Sequence, residues 1–449
     1  MKVAHHDLES SQYVTWAKFL AETDNWQSDQ VRQYQLDNVR RIVSHAYATL
    51  KGYRALFDTH AVRPEDIRSL EDVRRLPFTT KELFRDNLES FSSKTIDSEY
   101  VTTGGSTGVP MGLYRSRAEF AKELASKAHQ YHRVGWREGD RQIVFRGLKI
   151  DSPNGMSFVE EFDELRCSTY EFGSDRMELY RQKAIEYRPD WIRCYPSSGF
   201  VFASYLKDSE KAFPMVKGML CSSERLYPFQ AELFKEVFGP SIRIFSHYGH
   251  YEMAALAGFC EHTDHYHVLP QYGYVELLDK DDQPVTTPGD VGEIVATSLI
   301  METTPFIRYR TQDLAVYRGS SCSKCGRPYQ LWERVEGRLQ ELIVTRTGRL
   351  VSTSMLNMHD DSYDHILKFQ FHQRRRGGVI FRYVPKRTFN DDVRASVYAR
   401  IKDKLGDDIE LEMESVIDIP LTKRGKHRLL IQDLDLSYSH PSLEKPITL

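Results

Sequence analysis

The feature that most constrains this chain is an alternation between residues 141 and 247. Short apolar runs, RQIVF (141–145), WIRCY (191–195), GMLCS (218–222) and IRIFSH (242–247), read as buried strands. FQAELFKEVF (229–238) lies between two of them and ends at Gly239-Pro240, a helix stop. Strands buried on both faces and separated by helices need crossover connections, so the segment predicts βαβ units and a largely parallel sheet.

The flanking regions read differently. Val39, Ile42, Val43, Ala46 and Leu50 fall at three- and four-residue steps, one face of a helix, and the first hundred residues look mostly helical. DIRSLEDVRRLPFTTKELF reads as short helices and turns, with helical packing as its whole explanation. Beyond the alternation, YGYVELLD (272–279), GEIVATSL (292–299) and DLAVYRG (313–319) are separated by polar turns such as TTPGD (286–290), which predicts antiparallel strands of a β subdomain. After Arg338, ELIVTRTGRLVS (341–352) reads as a hairpin around Thr347-Gly348, and ILKFQFHQRRRGGVIFRYV (366–384) as a second. Val393, Val397, Ile401 and Leu405 form a helical stripe, followed by a strand near 409–415. The expected organisation is a large domain over 1–338 and an α+β module over 339–449, long enough to fold alone.

Composition excludes more than it selects. With 449 residues the chain can bury a sizeable core, and a net charge of -3 gives no electrostatic case for nucleic acid or an anionic membrane. Arg374-Arg375-Arg376 before Gly377-Gly378 reads as a solvated hairpin tip. No run is apolar enough for a transmembrane helix, and the N-terminus lacks a signal core, so a cytoplasmic location is expected. Six cysteines in this length make no disulfide scaffold. Nothing bears on oligomeric state.

Four motifs carry chemistry. In YVTTGGSTGVPMG (100–112), clustered Gly, Ser and Thr can wrap backbone N–H groups and hydroxyls around polyphosphate oxygens, although a plain flexible loop has the same composition. It lacks the Gly-Lys-Ser/Thr ending of a P-loop and the spacing of a dinucleotide fingerprint. SHYGHYE (246–252) follows a predicted strand, where open α/β sheets bind ligands, and Glu252 can hold Mg²⁺ against phosphate or be a loop acid. In TPFIRYRTQD (304–313), Asp313 comes just before a strand and can accept ribose hydroxyls or cap a turn. PLTKRGKHR (420–428) is strongly cationic, and one lysine there can stabilise the crowded charge of an adenylation reaction.

The order and separation of these four motifs resemble the acyl-adenylate-forming superfamily. The resemblance runs from about residue 30 to the end. VRRIVSHAY with SLEDVRRLPFTTKELF is similar to the N-terminus of the phenylacetate–CoA ligase family, and EGRLQELIVTRTGRLVS with PLTKRGKHRLLIQ is similar to its capsule-biosynthesis branch. This implies an α/β adenylate-forming domain with parallel βα sheets and a β subdomain, plus a small mobile α+β C-terminal domain. It implies Thr102, Thr103, Gly104, Gly105, Ser106, Thr107 and Gly108 over the β- and γ-phosphates. Ser222, Ser223 and Glu224 are implied beside adenine, and Tyr248 and Gly249 between adenine and the acyl pocket. Glu252 is the implied Mg²⁺ ligand, Asp313 the ribose ligand, and Lys426 the catalytic lysine. Arg334 or Arg338 is placed near ribose or phosphate.

The implied activity uses ATP and Mg²⁺ to adenylate a carboxylic acid, then transfers the acyl group to CoA or to an amine or hydroxyl. Tyr195, Phe200, Tyr248 and Tyr251 near the implied acyl site hint at a flat or aromatic acid. Two other readings stand beside this one: a nucleotidyl transferase that leaves AMP on a hydroxyl, and a non-catalytic nucleotide-binding protein. Three positions depart from the family pattern: Tyr251 replaces Ser or Thr before the acid, Gln312 replaces the Gly before the ribose aspartate, and Gln340 occupies the hinge.

The resemblance also implies a structural zinc site, with free thiols in a reducing cytosol as the alternative. Cys322 and Cys325 form a C-x-x-C with a following Gly, and need two further ligands. Cys260 and His267 in FCEHTDHYHV are the candidates, with His262 and His265 competing. Cys167, Cys194 and Cys221 read as buried structural thiols.

Overall fold

The computed structural model describes residues 10–102, 111–146, 150–169, 174–338, 342–347, 350–352, 356, 365–420 and 428–434. The chain divides into two compact units. One comprises Met1–Glu138, Phe245–Val335 and Tyr438–Leu449, the other Gly139–Ile244 and Glu336–Ser437.

The first unit begins with helices α1 (Ser11–Thr23), α2 (Ser28–Thr49), α3 (Lys51–Thr59) and α4 (Lys81–Asn87). The apolar stripe of α2 is buried as its spacing predicts, with Val39, Ile42, Val43 and Ala46 fully covered. Strands β1 (Ser98–Thr102) and β2 (Gly112–Ser116) pair antiparallel, and Thr102 lies opposite Gly112. Helix α5 (Arg117–Arg133) follows at once. Its start is a capping box: Ser116 Oγ accepts from Glu119 N, and Glu119 Oε2 accepts from Ser116 N.

The second unit's first segment contains β3 (Gln142–Arg146), β4 (Met156–Val159), β5 (Glu164–Ser168), β6 (Trp191–Cys194) and β7 (Gly218–Ser222). They order as β7-β6-β3-β5-β4. The β3–β5, β3–β6 and β6–β7 pairs are parallel, as the alternation predicts. Helices α6 (Ser174–Tyr187), α7 (Pro196–Asp208) and α8 (Pro228–Phe238) supply Tyr180, Phe202 and Phe234 to a core with Phe145, Cys194, Met219 and Cys221. Cys167, Cys194 and Cys221 are all buried free thiols. Strands β4 and β5 are not signalled by the sequence, because β5 buries a charge: Glu164 is paired with Arg166 and Arg193.

Returning to the first unit, the chain forms β8 (Arg243–Gly249), β9 (Leu256–Phe259), β10 (Tyr266–Val268), β11 (Gly273–Leu278), β12 (Val291–Ser298), β13 (Tyr309–Gly319) and β14 (Leu331–Arg338). The order is β8-β9-β10-β14-β13-β12-β11, and β11–β12 and β12–β13 are antiparallel as expected. The N-terminal segment LPFTTKELF lies against this sheet. Thr79 N donates to Arg308 O and Arg310 N to Thr79 O, at 3.1 and 2.9 Å. Phe78 lies under the guanidinium groups of Arg308 and Arg310. That segment therefore positions a site strand, beyond the helical packing its sequence suggests.

The second unit closes with hairpin strands β15 (Leu342–Val344) and β16 (Leu350–Ser352), then β17 (Ile366–Arg375) and β18 (Gly378–Pro385), helix α9 (Asp391–Leu405), β19 (Glu410–Ser415) and β20 (Leu430–Gln432). The last four strands order as β19-β18-β17-β20 around Phe371, Phe381, Val397, Ile401 and Leu405. Arg374, Arg375 and Arg376 are exposed at the β17–β18 turn, where Gly377 takes φ +69°. No helix of the described residues is long and apolar enough to cross a membrane.

Candidate functional site

Two of the four motifs meet within the first unit. The segment 248–252 ends β8 and turns; the segment 309–313 begins β13. Each contributes one tyrosine and one carboxylate, and each tyrosine holds the other segment's acid. Tyr248 Oη donates to Asp313 Oδ2 at 2.8 Å, and Tyr309 Oη donates to Glu252 Oε1 at 3.0 Å. Burial, then the Asp313 charge, raise the Tyr248 phenol well above its ordinary value, so it is a donor at neutral pH. Trp332 packs edge-on against the Tyr248 ring at 5.5 Å.

Asp313 lies inside a strand rather than before one. Opposite β12 the pairing jumps from Glu293↔Leu314 to Val295↔Arg310, so residues 311–313 leave the regular ladder. The irregularity is held from three sides. Thr311 Oγ1 donates to Ile294 O and accepts from Asp313 N, while Gln312 N donates to Glu293 Oε1. Such a break re-aims a side chain that a regular strand would alternate away. Gln312 takes φ +63°, a left-handed conformation that glycine adopts without strain. Met253, after Glu252, and Ser223, before Glu224, also take positive φ, of +52° and +68°.

His250 belongs to the same constellation, and the sequence alone does not single it out. Its Nδ1 lies 3.1 Å from Glu252 Oε2. Burial opposes a charge on the ring, but Glu252, with Asp313 and Glu123 behind it, carries the pKa above the usual histidine value. Its Nε2 is buried with no hydrogen-bond partner among the described residues. A signal does exist in the motif, since His250 stands two residues before Glu252. Tyr309 likewise stands inside one of the four motifs, with no pattern that assigns it a role.

The arginines of the second segment serve the fold. Arg308, itself at φ +45°, forms a buried ion pair with Glu276 and donates to Arg74 O and Leu76 O. Arg310 pairs with Glu293 and Asp282. Glycine at 249 is exposed, and a Cβ there would meet Leu256 Cδ1 at 3.1 Å. Tyr251 is 48 % exposed.

Elsewhere the expected site residues are placed as follows. Thr102 ends β1. Thr103, Gly104, Gly105, Ser106, Thr107, Gly108, Gln340 and Lys426 lie outside the described residues, as does the side chain of Arg338. In the second unit, Ser222 ends β7 and is buried, and Glu224 Oε2 accepts from Ser197 N at 3.1 Å, in the first turn of α7. Arg334 on β14 pairs with the neighbouring Glu333, while Arg225 and Glu336 form a buried ion pair.

The Cys/His cluster is assembled as the sequence predicts. Ligand atoms of Cys260, His267, Cys322 and Cys325 all lie within 4.8 Å of one another. Cys260 follows β9, His267 stands on β10, and the two remaining cysteines occupy the turn between β13 and β14. His267 Nδ1 lies 3.1 Å from His265 O, and a carbonyl can only accept, so the proton is on Nδ1. The lone pair is then on Nε2, which faces Cys325 Sγ at 3.4 Å. Burial pushes His267 down to about 4, so the ring is neutral. Burial pushes Cys260 up to about 12, with Cys325 and Cys322 adding to it. Three thiols converging on one imidazole lone pair match a tetrahedral zinc donor set. His262 contributes a backbone N–H to Cys260 Sγ and His265 its carbonyl, which separates them from the ligand group.

Similarity to known proteins extends over most of the chain. Residues 342–433 match the CapK C-terminal domain. The chain is 25 % identical over 351 residues to phenylacetate–coenzyme A ligase of Aromatoleum evansii, covering 73 % of this chain and 74 % of that one. It is 20 % identical over 385 residues to Protein CapK of Staphylococcus aureus, covering 82 % and 81 %. Among solved structures, 2-hydroxyisobutyryl-CoA ligase in its postadenylation state shares the fold, with a TM-score of 0.76 at 17 % identity over 92 % of each chain. The chain is thus similar to phenylacetate–coenzyme A ligases over most of its length, shares a mixed α/β fold with 2-hydroxyisobutyryl-CoA ligase, and carries over 342–433 a segment that matches the CapK C-terminal domain.

Proposed function

We propose that this protein is an AMP-forming ligase that joins a carboxylic acid to AMP with release of pyrophosphate, then passes the acyl group to an acceptor. The observation that carries this reading is the reciprocal bracing of Glu252 and Asp313. Two acids from separate strands are held by two tyrosines in one constellation, where one can serve a metal–phosphate group and the other a ribose. Relatives named phenylacetate–CoA ligase support acid activation.

In this reading Asp313 accepts the ribose hydroxyls beside its bond from Tyr248, since a carboxylate offers about four lone-pair sites. Tyr248 and Gly249 separate the nucleotide from the acid, and Ser223 and Glu224 flank adenine. Residues 102–108 position the β- and γ-phosphates, with Arg334 or Arg338 near ribose or phosphate. The donor set fits Mg²⁺: a carboxylate oxygen that accepts a hydrogen bond still has a second lone pair, and magnesium bound with a nucleotide takes only one or two carboxylates. Held by Glu252, Mg²⁺ would supply charge neutralisation for the adenylation step. Lys426, on a lid formed by residues 339–449, adds a second positive charge, and no acid–base residue is required for this half-reaction. The large part of the chain, 1–338, binds ATP and the acid. The acceptor is the CoA thiol or an amine or hydroxyl, and the CapK relationship directs the search for the latter toward polysaccharide precursors. Zinc bound by Cys260, His267, Cys322 and Cys325 has a structural role. A cytoplasmic setting suits both the ATP requirement and the free thiols.

The test is acid-dependent ATP–pyrophosphate exchange over aryl, amino and uronic acids, repeated with CoA and candidate amines and read by product mass. Exchange with at least one acid, lost in Lys426→Ala without loss of fold, is expected. AMP retained on an alcohol, with no acid supporting exchange, replaces acyl transfer with nucleotidyl transfer.

A further inference from the structure

His250 and Glu252 sit on one tight turn. Met253 N donates to His250 O at 3.1 Å, and Ser298 Oγ donates to Met253 O at 2.7 Å. The turn brings the histidine Nδ1 to the acid, while Tyr251 between them is half exposed. A carboxylate can only accept, so His250 Nδ1 carries the proton toward Glu252 Oε2. Tyr309 takes the other oxygen from a different strand. The ring of His250 neighbours those of Tyr248 and Tyr309, at centroid distances of 5.8 and 6.4 Å. One acid is thus hydrogen-bonded at both oxygens, and its histidine partner lies against both tyrosines of the bracing pair.

We propose that His250 is a positioning residue for the adenylation step: with Tyr309 it holds Glu252 in the single orientation that receives the magnesium ion of MgATP. This rests on the ligase reading above. A freely rotating glutamate has to be ordered when the ion arrives, whereas a clamped one is ordered beforehand, and partners that orient metal ligands set affinity for that reason. The residue acts through Glu252 and not on ATP itself, so its removal is felt only when the metal is present.

The test is calorimetric binding of ATP to the full chain, with Mg²⁺ and separately with EDTA, for wild type, His250→Leu and His250→Asn. His250→Leu is expected to weaken MgATP binding about tenfold, as loss of an outer-shell partner does, and to leave metal-free ATP binding unchanged. His250→Asn, whose amide N–H sits where Nδ1 sits, restores most of the metal-dependent affinity. If His250→Leu fails to fold, His250→Gln, which keeps polarity but displaces the N–H, takes its place in the same titrations. Equal weakening of both forms, or wild-type affinity for both, overturns the proposal while the ligase reading stands. A wild-type chain that binds neither form removes both.

Discussion

The first unit orders buried polar groups in two different ways. In the Tyr248–Asp313 and Tyr309–Glu252 pairs, each bond joins two protein groups, and no ligand is needed to complete it. In the Cys260–His267–Cys322–Cys325 cluster, three thiols and a lone-pair nitrogen converge within 4.8 Å, and electron-rich atoms gain little from one another. The first is a set of pairs satisfied within the protein itself, which the proposed function makes part of an ATP site. The second is a set of donors whose mutual proximity is compatible with one tetrahedral metal ion, the role proposed above. The difference teaches where ligand removal should be felt: as lost affinity at the first, and as lost structure at the second.

The comparison breaks most visibly on metal removal. Stripping zinc, or Cys322→Ser, is expected to destabilise the protein by several kcal/mol, because binding energy at a structural site is folding energy. Thermal melting with metal analysis checks this, and a metal-free chain with an unchanged Tm would place the cluster with ordinary free thiols. Asp313→Ala comes next: it is expected to weaken ATP binding by about 1–3 kcal/mol, because it also leaves the buried Tyr248 hydroxyl without its carboxylate. An unchanged ATP KM would reject the ribose role. Tyr248→Phe keeps the ring against Trp332 and loses the hydroxyl's bonds to Asp313 and Thr311, so about 1 kcal/mol in ATP affinity is expected. A loss as large as that of Asp313→Ala would show that the phenol contacts the nucleotide directly. The smallest effect is Gln312→Gly. Relief of a left-handed glutamine, less the entropy glycine loses on folding, should raise stability by about 0.5–1 kcal/mol with ATP affinity unchanged. A lower Tm would show that the Gln312 side chain contributes more than its backbone costs.

Much of the fold was legible because its signals are periodic. The stripe on α2, the parallel strands β3, β6 and β7, the antiparallel β11–β13, and both C-terminal hairpins follow from apolar spacing and turn residues. Strand β5 was not legible, since a buried Glu164 mimics a surface residue until its arginine partners are brought to it by the fold. At the candidate site, Glu252, Asp313 and Tyr248 were legible because each stands in a motif. His250 and Tyr309 stood in the same motifs, but a side chain that acts by holding another acid has no pattern of its own. The departure at Gln312 was visible in sequence, but its consequence was not. Only the broken ladder opposite β12 shows that this position takes a backbone conformation suited to glycine, the residue of the family pattern.

By itself the sequence determined most of the helices and strands, though not β4 and β5, and with them the order of the four motifs and the four zinc-type donors. These depend on residue type and on spacing along the chain, which a local reading captures. Tertiary structure alone decided that Tyr248 holds Asp313, that Tyr309 and His250 hold Glu252, and which nitrogen of His267 faces the thiols. The two tyrosine–acid bonds join residues 65 and 57 positions apart. Bonds over such separations depend on strand register and turn geometry, and those are properties of the packed chain.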